Sequence, residues 1–513
     1  MALNHTRKTM WKSIRKCAIC AIVLLLSGVQ AGRAQEHPPV PRNVVFILSD
    51  DHRYDFMGFH PNAPEWLETP NLDRMAREGM HLANAFVTTA LCSPSRASIL
   101  TGQYAHRHGV VDNNIDIPEG TRFFPEYLQD AGYATGFFGK WHMGHDTDEP
   151  RRGFDRWVSF RGQGVYYDPV LNVDGHQSKH QGYTSDILTD YALEWLEEQH
   201  EAERLFFLYL SHKAVHAEFE PAERHRGHYA GEPLEYKETM YPDAAGSETW
   251  PEWVKAQRSS WHGVDYMYHG RINFDDFYRQ YAETLLGVDE SVGRVLDFLE
   301  ENGLAEHTLV IYMGDNGFSF GEHGLIDKRH AFEESMRVPM LAWAPGFIRP
   351  GTVLEQNVLN LDIMPTVLDV TGAKAPDDHV VDGMSFLPFL QGATVANWRD
   401  EFLYEYYWEW NFPQTPTQFA IRTPRYKYVF THGVWDQDGL YDLQNDPQEQ
   451  LNLIDSPEHQ ELAKELRNRL FDRLEATGGM HIPLRRPTGG QNDKRRPEGE
   501  PSTDPLIGRR PPS

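Results

Sequence analysis

Cysteine is scarce in this chain, with three in 513 residues. Two of them, Cys17 and Cys20, sit at the start of an N-terminal apolar stretch, and the third is Cys92. A disulfide framework is therefore excluded as the device that holds the fold together. Long apolar runs are also lacking. "CAICAIVLLLSGV" is about thirteen residues, short of the roughly 20 that a membrane-spanning helix needs, and no second such run follows. Positive charge is in deficit: 49 Lys and Arg stand against 75 Asp and Glu, a formal net charge of −26. Such a chain repels nucleic acid and anionic membrane at long range, so neither is expected as a partner. An anionic substrate would need a local basic pocket.

What is present begins with the leader. The segment "MALNHTRKTMWKSIRK" is basic, the apolar run follows, and small residues precede a polar start, which is the order of a secretory signal peptide over residues 1–34. Ala31 and Ala34 are both suitable cleavage positions, and an uncleaved anchor is the other reading. Cleavage makes the protein exported, periplasmic or secreted, and free of the membrane. It removes Cys17, Cys20 and six basic residues, which leaves Cys92 alone. A single thiol in an oxidising compartment is either buried as a small apolar group, chemically employed, or no longer a thiol.

Between residues 35 and 395, β-branched runs such as "NVVFILSDD" (43–51), "LFFLYLS" (205–211) and "TLVIYMGDNG" (308–317) alternate with amphipathic helical segments such as "DILTDYALEWLEEQ". This alternation predicts an α/β domain with a large, mostly parallel central sheet flanked by helices. Residues 218–280 are aromatic and weakly periodic, and read as an elaborate loop region. Residues 396–480 change texture. "EFLYEYYWEW", "QFAIRTP", "RYKYVFTH" and "GLYDLQNDPQ" read as short antiparallel strands before a closing helix, a small C-terminal α+β subdomain. Residues 481–513, rich in Pro, Gly and Arg, read as a disordered tail.

Ligands of parallel sheets bind beyond the carboxyl ends of the strands. Polar patches fall there: Asp50–Asp51, "GKWHMG" with Lys140 and His142, "SHKAVH" with His212, Lys213 and His216, and "GDNG" with Asp315 and Asn316, followed by "GEHGLIDKR" with His323 and Lys328. Each patch alone also reads as an ordinary turn or cap. "CSPSRASILTG", Cys92 to Gly102, does not.

Together these patches resemble the type I sulfatases, the formylglycine-dependent branch of the alkaline-phosphatase-like superfamily. The resemblance rests on Cys-x-Pro-Ser-Arg followed by Leu-Thr-Gly, on "GKWH", on "DNG" with its downstream lysine, and on "GLYDLQNDPQEQLNL" (439–453). It implies a maturation enzyme that oxidises Cys92 to formylglycine, and a single Ca²⁺, ahead of Mg²⁺, held by Asp50, Asp51, Asp315, Asn316 and the modified residue 92. An all-oxygen donor set agrees with that class of ion.

The implied reaction is attack on sulfur by one oxygen of the aldehyde hydrate, then release of sulfate as the second hydroxyl loses its proton, with His142 as the base. Lys140 and Lys328 would bind sulfate oxygens and His216 would contact sulfate and protonate the leaving oxygen, with His212 as the less favoured alternative. Arg96 would orient residue 92 and the carboxylates, and His323 would be an additional substrate contact. The aromatic surround at 164–175, 218–280 and 405–412 points to a sulfated saccharide or polysaccharide fragment as substrate; subdomain packing is the competing account of those rings. A formylglycine-dependent phosphonate or phosphodiester hydrolase and a non-catalytic binder of sulfated glycans are the alternatives.

Overall fold

Strand β1 (Asn43–Ser49) is buried at all seven positions. Its side chains alternate between two apolar layers: Val44, Phe46 and Leu48 enter one, Val45 and Ile47 the other. That requires a sheet covered on both faces, as in α/β proteins. The computed structural model describes residues 40–483 apart from 145–146, 271 and 434–435. The signal peptide expected over 1–34 and the tail beyond 483 lie outside the described residues. Among the described residues, no helix is long and apolar enough to cross a membrane.

The main sheet has ten strands. Its centre is four parallel strands in the order β4 (Thr308–Gly314), β1, β3 (Phe206–Ser211) and β2 (Ala134–Lys140). Antiparallel pairing enters toward both edges, at Met340–Trp343 and at Val170–Val173. The register places Ser49 opposite Gly314, and Ser211 opposite both Leu48 and Gly139. Four strand ends therefore stop at one rim, and the chain leaves each end through a polar loop. Glycine is required at 139: a Cβ there would lie 1.8 Å from the Ser211 carbonyl oxygen, and its φ is +122°. The close approach fixes the last turn of backbone before Lys140.

Helix α1 (Cys92–Thr101) is buried along its whole length and ends at Gly102 in the left-handed conformation. Helices α2 (Thr184–Glu201) and α3 (Phe274–Glu301) cover the opposite face, with Leu188, Leu285 and Val292 in the apolar layer under Val45 and Ile47. The expected loop region 218–280 is mostly irregular, with a short helix at Glu252–Gln257, until α3 begins. The second sheet is antiparallel, in the order Phe402–Tyr406, Gln418–Arg422, Tyr426–Thr431, Gly439–Asp442. Helix α4 (Gln460–Thr477) packs on it through Leu466 and Leu470. The apolar layer beneath Phe46 and Leu48 is continuous with this second sheet through residues such as Phe402, Tyr404 and Ile421.

Candidate active site

Because β1, β2, β3 and β4 end at one rim, residues distant in sequence meet there. Asp50 and Asp51 follow β1, and Asp315 and Asn316 follow β4. Asp51 has φ +56°. This left-handed residue breaks the alternation that would send neighbouring side chains to opposite faces of an extended chain. Carboxylate oxygens of Asp50, Asp51 and Asp315 lie within 4.8 Å of one another, and all three residues are buried.

Cys92 opens α1 against this cluster and is fully buried. Its thiol donates to Asp50 Oδ1 at 3.5 Å, and Lys328 Nζ approaches Sγ at 3.3 Å. Burial, with the Asp50 carboxylate, pushes the thiol up to about 12. The buried cysteine is thus a poor nucleophile as it stands, because the thiolate is the reactive form. One turn on, Arg96 lies under the carboxylates. Its Nε donates to Asp315 Oδ2 at 3.0 Å, Nη2 pairs with the same oxygen at 2.8 Å, and Nη1 reaches the Lys140 carbonyl and Ser211 Oγ, each at 2.6 Å.

Lys140 pairs with Asp50 and Lys328 pairs with Asp51. Burial raises the Asp50 carboxyl, but Lys140, Arg96 and Lys328 outweigh it and hold the group well below the usual range. Burial pushes Asp51 up to about 7, against Lys328 and with the help of Asp50 and Asp315. Asp315 is raised by burial and by Asp50. His142 and His216 are both driven down, first by burial and then by the lysines, so both rings are neutral at ordinary pH. His216 Nδ1 lies 2.6 Å from the Ala217 carbonyl oxygen, a bond that requires the proton on Nδ1, and its Nε2 faces Asp51 Oδ2 at 3.9 Å.

The donor set suits a hard cation. Asn316 Nδ2 donates to Asp51 Oδ1 at 2.7 Å and to the Gly317 carbonyl at 2.9 Å, which leaves Asn316 Oδ1 buried without a partner. A buried amide oxygen beside three carboxylates is a ligand arrangement for Ca²⁺ or Mg²⁺.

The acidity shifts give a metal-removal prediction. Asp51 and Asp315 have raised folded-state values, so the folded protein retains protons that the unfolded chain has lost. The stability they contribute is complete below about pH 4 and is lost as pH rises through their folded-state values, about 7 for Asp51. Asp50 is depressed and acts in the opposite sense, with its contribution lost only below the ordinary carboxylate range. A divalent cation relieves the first two. Thermal midpoints measured in calcium and in chelator should therefore coincide most closely near pH 5 and separate as pH rises to 7. A gap that stays constant or narrows would remove these carboxylates as the metal site.

Ten of the residues singled out in the sequence meet at this rim: Asp50, Asp51, Cys92, Arg96, Lys140, His142, His216, Asp315, Asn316 and Lys328. His212 does not. It points to α3, with Nε2 at 3.1 Å from Ser291 Oγ. His323 is a correction to the expected substrate contacts. Its ring stacks on Phe332 at 3.9 Å and meets Trp250 edge-on, and its Nε2 lies 3.1 Å from the Glu449 carbonyl. Its left-handed backbone (φ +58°) turns it toward the C-terminal subdomain, where it packs as a buried ring.

Two supporting residues had no assigned role in the sequence. Ser211 Oγ accepts from Arg96 and donates to the Lys140 carbonyl at 2.8 Å. Ser93 donates to the His142 carbonyl, and its own N–H donates to Asn113 Oδ1 at 3.0 Å. Ser93 was visible only as the unspecified position of Cys-x-Pro-Ser-Arg, and Ser211 as the polar end of a strand.

A family model described as Sulfatase matches residues 42–373, and one described as N-sulphoglucosamine sulphohydrolase, C-terminal, matches residues 321–476. The chain belongs to the sulfatase family. It is a sulfuric ester hydrolase. This sulfatase is 31% identical over 500 residues to the N-acetylglucosamine-6-O-sulfatase of Bacteroides thetaiotaomicron, an alignment that covers 86% of this chain and 88% of that one. It is 30% identical over 450 residues to the N-acetylglucosamine-6-sulfatase of Homo sapiens, covering 81% and 76% of the two chains. A solved protein in complex with its substrate D-glucosamine-2-N,6-O-disulfate superposes with a TM-score of 0.79 and 29% identity, over 86% of this chain and 99% of that one.

Proposed function

We propose that this sulfatase cleaves a sulfate ester on a sulfated hexosamine saccharide, that it does so outside the cytoplasm, and that its active form carries formylglycine at position 92 and one Ca²⁺. The observation that carries the reading is Cys92 itself. It is the sole free cysteine among the described residues, buried against the Asp50 carboxylate and the Lys328 ammonium and held as an inert thiol. The relatives named for 6-O-sulfated N-acetylglucosamine support the substrate class.

Asp50, Asp51, Asp315 and Asn316 would hold the cation, which supplies Lewis-acid stabilisation of negative charge. The aldehyde made from Cys92 supplies, as its hydrate, an oxygen nucleophile with a second hydroxyl for release. The chain's own groups do the rest. Lys140 and Lys328 pair with Asp50 and Asp51, and would bind sulfate oxygens where those acids hold a cation. Arg96 stays on Asp315 and keeps that carboxylate oriented. His142, neutral through burial and the field of Lys140, is able to take a proton from residue 92. His216 must acquire a proton on Nε2 to assist the leaving oxygen. Bound sulfate, by offsetting the lysines that depress the ring, raises its affinity for that proton.

Two measurements test the reading. The tryptic peptide Glu78–Arg96 from protein matured in a competent host should show formylglycine mass at position 92. The kcat/KM for N-acetylglucosamine-6-sulfate should exceed that for a matched phosphonate or phosphate ester by about 10²-fold or more. Unmodified cysteine in active protein, or equal turnover of the phosphonate, would defeat it.

A further inference from the structure

One cation beside the site has no part in the chemistry above. Lys213 lies two residues beyond β3 in the loop that carries His216. It is 6% exposed. Its Nζ sits 4.3 Å from the centroid of the Tyr166 ring, and Tyr166 in turn donates its hydroxyl to the His216 carbonyl at 2.6 Å. Lys213 therefore stands on the wall that holds His216. The charges of Lys140, Asp50, Asp51 and Glu220 all act on it. Among the described residues, no carboxylate pairs with its ammonium, whereas Lys140 and Lys328 each have one.

A buried ammonium without a counter-ion is costly, and an aromatic face offsets only part of that cost. Arg96, Lys140 and Lys328 already match Asp50, Asp51 and Asp315 one for one. Lys213 is the cation of this wall that those pairs leave over. An ammonium so placed is suited to a negative charge carried by the substrate.

We propose that Lys213 binds a second oxyanion of the substrate, a sulfate or carboxylate on the same saccharide as the sulfate that is cleaved. This extends the saccharide reading given above and depends on it for the identity of the substrate. Lys213 acts here by charge-assisted hydrogen bonding, which disfavours substrates lacking the second group.

The test compares wild type, Lys213→Met and Lys213→Arg on glucosamine-6-sulfate bearing either an N-acetyl or an N-sulfo group, and on a pair of aryl sulfates with and without a carboxylate. The Met variant should lose about ten-fold more kcat/KM on the dianionic member of a pair than on the monoanionic one, chiefly through KM, and the Arg variant should recover most of it. A loss confined to the N-sulfo sugar assigns the site to sulfate, and a loss on the carboxylate pair as well assigns it to oxyanions generally. Equal losses on both members of each pair, or no loss on any, overturn the proposal. If wild type cleaves neither sugar, the saccharide reading fails by itself, and the aryl pair still decides the role of Lys213.

Discussion

Cys92→Ala abolishes turnover, by about 10⁴-fold or more in kcat, and leaves the protein folded: this is the largest expected effect. Among the described residues, the neighbouring hydroxyl, Ser93, is committed to the His142 carbonyl and does not replace Cys92. The structural cost is small because the deletion removes one buried sulfur, whose contacts are the Asp50 carboxylate at 3.5 Å and the Lys328 ammonium at 3.3 Å. Both partners keep stronger ones in each other's neighbourhood, Asp50 with Lys140 and Lys328 with Asp51. Thermal unfolding should therefore shift little, with about 1 kcal/mol lost to the small cavity. Calcium binding provides the internal control. The carboxylates and Asn316 remain, so the variant should still respond to calcium in its melting temperature. Activity within ten-fold of wild type would sink the assignment of residue 92 as the nucleophile's position.

Asp315→Ala has the second largest effect, and it strikes both stability and metal binding. Arg96 is 1% exposed and makes its closest ion pair, 2.8 Å, with this carboxylate. Asp50 is 3.7 Å from the same guanidinium and is already held by Lys140. Removing Asp315 leaves a buried guanidinium short of its counter-charge, a class of change that costs about 3–5 kcal/mol. It also removes one of three clustered carboxylates, so calcium should no longer raise the melting temperature, and kcat should fall by about 10³-fold or more. Asp315→Asn separates the two effects. It retains the shape and one hydrogen-bond acceptor for Arg96 but not the charge, so stability should recover in part while calcium affinity stays well below that of wild type. An Asp315→Ala protein with wild-type calcium stoichiometry, or an Asp315→Asn protein with wild-type calcium affinity, would take Asp315 out of the ligand set.

Much of the fold was legible because its signals are local. A strand buried on both faces is expected to be a continuous apolar run, and "VVFIL" and "LVIYM" are. The C-terminal sheet was equally plain, since each short strand is followed by its own turn residues. The site was legible for a related reason. Its residues cluster at strand ends, and a parallel sheet brings strand ends together.

His323 shows where that logic stopped. It lies five residues before Lys328, on the same loop, and proximity in sequence suggested proximity in space. The backbone at His323 is left-handed, however, and its ring is taken up between Phe332 and Trp250. Neither partner is a neighbour in sequence. Ser211 was missed for the converse reason. A serine at the end of a strand carries no pattern, and it becomes informative only when Arg96, 115 residues away in sequence, arrives at 2.6 Å.

The amino-acid sequence by itself determined the alternation of strands and helices, the singular Cys92 within Cys-x-Pro-Ser-Arg, and the pool of carboxylates, lysines and histidines from which the site is drawn. These follow from periodicity, from backbone preference and from residue chemistry, which act over a few neighbours. Only the tertiary structure decided which members of that pool converge. The parallel register of four strands placed the loops at one rim, the left-handed turn at Asp51 pointed adjacent acids inward, and the loop after β3 brought His216 to the carboxylates while His212 went to α3. Convergence depends on pairing between segments hundreds of residues apart, and the energy of those pairings resides in the folded packing.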